Sequence, residues 1–299
     1  MPLLELTFEL DPLSNEAEEA ALEAACFAAG ALSVTLTDAA DDPVLEPLPG
    51  EVRLWPSTRV AALFPADAPL LAASRAVAAA LALPAERIIA REVADRPWER
   101  EWLAHSHAMR FGRRLWVAPH HERVAEPGAV VVQLDPGLAF GTGTHPTTAL
   151  CLEWLDERLE PGARAIDYGC GSGILGLAAA KLGAAEVECF DFDPQALTAA
   201  ETNAAANGVS DRLRPVARDC DLTPGADVLL ANILAEPLVA LAPRFAELAR
   251  AGGTLVLAGI LTNQGDEVTE AYRAWFDMAR FGARDDWVGL AGVRRSRAP

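Results

Sequence analysis

The residues best placed to do chemistry lie in one run, Asp167-Tyr168-Gly169-Cys170-Gly171-Ser172-Gly173, between apolar stretches on either side. A buried strand, a glycine-rich turn and a helix start are expected there. Glycine lets the backbone bend sharply and approach a ligand, and the first helical turn offers unpaired N–H groups. Such a turn holds a nucleotide-bearing cofactor. Residues 171–176 match the dinucleotide pattern G-x-G-x-x-G literally, so the turn alone leaves the cofactor open. Asp191 follows the next apolar run, at the place where a carboxylate hydrogen-bonds ribose hydroxyls. Asn232 ends a further buried run over 227–231. Residues 135–148 gather glycine, threonine and His145 ahead of a helix. Thr144 as a helix cap is one use of that segment, and a loop closing over a ligand is the other.

Composition narrows the class. A chain of 299 residues holds two domains and a substantial core. It is 51% hydrophobic, yet no apolar run nears the roughly 18 residues of a membrane span. The first residues carry no basic n-region, so no secretory signal is expected. None of Cys26, Cys151, Cys170, Cys189 and Cys220 forms C-x-x-C, which argues against a zinc site or disulfide framework and for a reducing cytoplasm. Cys170 has no neighbouring histidine in sequence and reads as packing, not a nucleophile. His120-His121-Glu122 lacks ligand spacing, so no metal is expected. A net charge of −18 argues against direct nucleic-acid binding, since phosphate affinity needs a basic surface. A basic protein partner is compatible with it.

The elements follow from periodicity and punctuation. Strands over 3–10, 31–37, 59–64 and 87–93 and helices over 15–29 and 68–83 give the order β-α-β-β-α-β. That is the ferredoxin-like arrangement, read here as a substrate-recognition domain over 1–95 that holds more than half of the net charge. A helical connector with Trp98 and Trp102 on one face makes 96–108 a linker. In the remainder, 109–299, strands over 130–134, 164–168, 186–190, 227–231 and 253–258 alternate with helices over 147–159, 175–182, 194–207, 235–250 and 264–276. Two terminal strands, near 279–283 and 287–293, can pair antiparallel. The fold class is α/β, a doubly wound Rossmann-like sheet behind a small α+β domain.

Three features favour S-adenosylmethionine over a nicotinamide dinucleotide. Asp167 would be crowded against a pyrophosphate, Asn232 ends the fourth strand where an acceptor would sit, and the terminal pair adds an antiparallel strand. The turn resembles the D-x-G-x-G-x-G motif of S-adenosylmethionine-dependent methyltransferases. Four stretches carry a longer resemblance, to the bacterial PrmA family of ribosomal protein L11 methyltransferases. They are Trp98-Glu99-Arg100-Glu101-Trp102 with Met109-Arg110-Phe111-Gly112; residues 134–148; the 167–173 turn with Asp191-Phe192-Asp193-Pro194; and Ala231-Asn232-Ile233-Leu234-Ala235. The 119–122 loop departs in lacking a tryptophan, and residues 232–235 depart from the N-P-P-Y pattern of amide and adenine methyltransferases.

The resemblance implies a ferredoxin-like recognition domain, a connector and a class I methyltransferase domain. It implies methylation of the α-amino terminus and lysine side chains of ribosomal protein L11, up to three methyls per nitrogen. Thr148, Gly169, Asp191 and Asn232 are the implied donor contacts, with Asp167, Gly171 and Phe140 beside them. Asn232 is the expected catalytic residue, with His145 as either a base or an organiser of its loop. A monomer is expected. The rival readings are an NAD-dependent oxidoreductase, a non-catalytic ribosome-assembly or RNA-binding module, and a methyltransferase of another protein or a small amine.

Overall fold

The computed structural model describes residues 3–10, 16–40, 55, 57–93, 107–135 and 143–296. The chain divides into two compact units, residues 1–99 and 100–299. In the first, β1 (Leu3–Leu10), α1 (Glu16–Ala28), β2 (Ser33–Asp38), β3 (Thr58–Pro65), α2 (Leu70–Ala80) and β4 (Ile89–Val93) form an antiparallel sheet in the order β2-β3-β1-β4. Alternation decides which side is buried: Leu6, Phe8, Val60, Ala62 and Phe64 meet Leu22, Cys26 and Val77 of the helices. Helix α2 stops at Ala80, short of the expected 83. Ala82 adopts φ +53° and Leu83 precedes Pro84, a place that disfavours helix. The connector expected over 96–108 lies outside the described residues except for His107 and Ala108.

The second unit opens with a three-stranded sheet, β5 (Met109–Phe111), β6 (Leu115–Ala118) and β7 (Val130–Gln133). Only β7 is legible in sequence, because three or four residues are too few to show a period. Then follow α3 (Pro146–Arg158), β8 (Arg164–Tyr168), α4 (Ile174–Leu182), β9 (Glu186–Phe190), α5 (Pro194–Ala206), β10 (Leu213–Val216), β11 (Ala226–Asn232), α6 (Ala235–Leu248), β12 (Ala249–Leu261), α7 (Gly265–Tyr272), β13 (Phe276–Arg284) and β14 (Trp287–Arg294). The seven-stranded sheet runs β10-β9-β8-β11-β12-β14-β13. Strand β14 runs antiparallel to both β12 and β13, and the remaining pairings of this sheet are parallel. Edge strand β10 was not expected; it holds Pro215, which an edge tolerates.

Helices α3, α4 and α5 cover one face and α6 and α7 the other, each over its own apolar cluster. Strand order turns back at β8 and β11, and ligands of open α/β sheets bind at the carboxyl ends of the strands on either side of such a point. Among the described residues no helix is long and apolar enough to cross a membrane.

Candidate functional site

Strand β8 delivers the chain into the turn. Gly169, Gly171 and Gly173 have φ of +75°, +52° and +80°, left-handed values that only glycine takes without strain. The N–H groups of Gly169 and Cys170 both donate to the Phe190 carbonyl, at 2.8 and 3.0 Å, so the turn folds onto the tip of β9. There Asp191 Oδ2 accepts from Gly171 N at 2.9 Å and Oδ1 from Asp193 N at 3.0 Å. Asp193 caps α5 by accepting from Gln195 N at 2.8 Å. Asp191 is half-buried, and each oxygen keeps a lone pair for a further donor. Beside it Phe192 is 81% exposed, its ring edge-on to Phe190. Sequence reasoning passed over Phe192, although an apolar residue between two acids at a strand tip is a legible signal.

Asp167 sits beneath the turn. It is 1% exposed, and its Oδ2 accepts from Gly176 N at 2.8 Å. Burial pushes its carboxyl up to about 7; the Gly176 N–H opposes that shift and the Asp191 charge adds to it. The carboxylate therefore ties the start of α4 to the end of β8.

The second half of the site is the start of α3. His145 caps it, one residue beyond the expected Thr144, and Pro146 follows at the first helical position. His145 Nδ1 accepts from Thr147 N at 3.4 Å and lies 2.7 Å from Thr147 Oγ1. That pattern assigns the ring proton to Nε2. Burial lowers the His145 pKa, which favours the neutral ring. Its ring stands edge-on to Trp287 at 5.0 Å. Trp287 has no local sequence signal, because a distant hairpin brings it here.

Thr148, 1% exposed, accepts from Asn232 Nδ2 at 3.2 Å. Asn232 Oδ1 takes no hydrogen bond from the described residues. Two glycines close on the residue after it. A Cβ at Gly169 would strike the Ile233 side chain, and one at Gly259 the Ile233 carbonyl. The site thus brings together Gly169, Gly171 and Asp191 at one tip, and His145, Thr148 and Asn232 at the next. Phe140 lies outside the described residues.

The chain matches the family model of ribosomal protein L11 methyltransferase (PrmA) over residues 3–295. It is 48% identical over 299 residues to a ribosomal protein L11 methyltransferase of Pseudomonas paraeruginosa, covering 99% of this chain and 100% of that one. The Hahella chejuensis protein of the same name is 48% identical over 285 residues, 94% of this chain and 96% of its own. A crystal structure of a ribosomal protein L11 methylase from Lactobacillus delbrueckii subsp. bulgaricus superposes with a TM-score of 0.58 at 33% identity, covering 63% of this chain and 99% of that chain.

Proposed function

The chain belongs to the ribosomal protein L11 methyltransferase family, and on that premise we propose that it methylates the N-terminal α-amino group and lysine ε-amino groups of ribosomal protein L11, up to three times per nitrogen. The family is S-adenosylmethionine-dependent, and the site fits that donor. The three left-handed glycines let backbone approach it, Asp191 has lone pairs for ribose hydroxyls, and Phe192 offers an exposed ring to a base. When bound, the donor supplies an electrophilic methyl on a sulfonium sulfur.

The observation that carries the acceptor side is the amide of Asn232. Thr148 holds its Nδ2, which fixes the amide's orientation and leaves Oδ1 to accept from an amine N–H. An amine held there has its lone pair aimed, and such positioning is worth up to ~7–11 kcal/mol of barrier. His145 uses Nδ1 within its own cap and keeps its proton on Nε2, so it orders the loop and does not act as the base. The amine must arrive neutral. An α-amine with a pKa near ~7.7–8.0 does so far more readily than a lysine near ~10.4, so lysine transfer should rise more steeply with pH.

The test is intact-mass spectrometry of purified ribosomal protein L11 after incubation with this protein and S-adenosylmethionine. Successive methyl additions, mapped to the N-terminus and to lysines, are expected. An unmodified substrate, with donor binding retained, would leave a methyltransferase of another amine.

A further inference from the structure

Helix α5 carries two asparagines, one turn apart, that the reading above does not use. Asn203 Nδ2 donates to the Ser172 carbonyl at 2.9 Å, inside the glycine turn. Asn207, just past the helix end, uses both ends of its amide on one residue of another element. Its Oδ1 accepts from Gln133 N at 2.8 Å and its Nδ2 donates to Gln133 O at 2.7 Å. Gln133 ends β7, the edge of the three-stranded sheet. The amide therefore supplies the ladder partner that an edge strand lacks. Asn207 Nδ2 also donates to Asn203 O at 2.9 Å, which links the two anchors.

The helix between them is seated on the turn. A Cβ at Gly173 would come within 3.0 Å of Ala200 Cβ. At its other end α5 starts from Asp193, hydrogen-bonded to Asp191. One rigid helix thus touches the ribose-side acid, the glycine turn and the end of β7.

Resting on the donor reading above, we propose that Asn203 and Asn207 are positioning residues for the methyl donor, holding the glycine turn and the end of β7 at a spacing set by one helical turn. The physical need is specific to this turn. Gly171 and Gly173 reach alternative backbone angles at little cost, so the Ser172 carbonyl between them is easily rotated. A donor fixed on a helix removes that freedom before the ligand arrives, and the ordering cost is no longer taken from binding.

The test uses the full chain with Asn203→Leu or Asn207→Leu, near in size and without the amide. S-adenosylhomocysteine binding is measured by calorimetry and S-adenosylmethionine kinetics at steady state. Kd and KM should each rise about fivefold to tenfold, the scale of one lost hydrogen bond, while kcat at saturating donor stays within about twofold. A purely structural role would lower Tm and leave the KM of the folded enzyme at its wild-type value, and that result overturns the proposal. Asn207 is 7% exposed. Should its variant not fold, Asn203→Ser at a half-buried position decides alone, a wild-type KM again refuting the proposal. Wild-type protein that binds no S-adenosylhomocysteine in the same titration would instead refute the donor reading.

Discussion

Asn232, Asp191 and Asp167 are three polar residues at strand ends with three different duties, and each predicts its own signature. On the proposed reading Asn232 aims the amine, so Asn232→Ala should cut kcat by two orders of magnitude or more, roughly the loss expected when an aiming contact disappears. Unchanged turnover would remove the aiming role. For Asp191 the proposed contact with the donor uses lone pairs that its backbone partners leave open. Asp191→Ala should raise donor KM by about tenfold to a hundredfold, on the scale of ~1.5–3 kcal/mol for hydrogen bonds to a charged group. Burial raises the Asp167 carboxyl to about 7, so it titrates around neutral pH. Its folded pKa lies above the unfolded value, so its stabilisation is complete below about pH 4 and is lost as pH rises through about 7. Asp167→Asn keeps an acceptor for Gly176 N–H and removes the titration. Between pH 5 and 8 the wild type should lose about 2 kcal/mol relative to that variant in chemical denaturation. Parallel curves would show that the carboxyl does not titrate there. The type and spacing of these residues were legible in sequence. That Asp167 points beneath the turn was not, because a strand tip presents side chains to both faces.

The elements divide into those with a period and those set by contacts. Helix α4 announces itself by an apolar run between Gly173 and Gly183, and α5 by Pro194 at its start and Gly208 just past its end. Strands β5, β6 and β10 have no such signal and exist through what they pack against. Asp156, in α3, shows how. Its carboxylate accepts from the N–H groups of Arg113 and Arg114, and Arg114 Nε lies 3.3 Å from Oδ1. A helix side chain therefore fixes the β5–β6 turn, a contact between positions far apart in the chain. Likewise His145 takes the cap expected of Thr144, since its ring reaches Thr147 N while packing on Trp287. Asp156→Ala leaves two backbone N–H groups and a guanidinium without their buried partner. It should cost about 2–3 kcal/mol, roughly 5–10 °C in Tm, read by thermal unfolding. A shift under ~2 °C would mean that water replaces the carboxylate and that packing alone holds the turn.

At the scale of the molecule, the chain forms two compact units, and the residues proposed for donor and acceptor fall in one of them. Residues 100–299 hold both apolar clusters under the seven-stranded sheet and every described residue assigned to donor or acceptor. Residues 1–99 have a core of their own and contribute none of those groups. A small-molecule acceptor would need only the catalytic unit, whereas a protein acceptor must be held by surface remote from the reacting nitrogen. Binding energy from such remote surface is what positions the reacting group. The fragment 100–299 should therefore bind S-adenosylhomocysteine with a Kd within about threefold of the full chain, since every donor contact is present, yet methylate ribosomal protein L11 at a kcat/KM lower by at least ~100-fold. Full activity of the fragment on that protein would place recognition in the catalytic unit instead. The acidic first unit adds a second expectation. With a net charge of −18 on the chain, association with a basic partner should weaken as salt rises. KM for the protein substrate should climb between low and physiological ionic strength while KM for the donor stays flat, because the contacts proposed for the donor are hydrogen bonds and not long-range charge attraction.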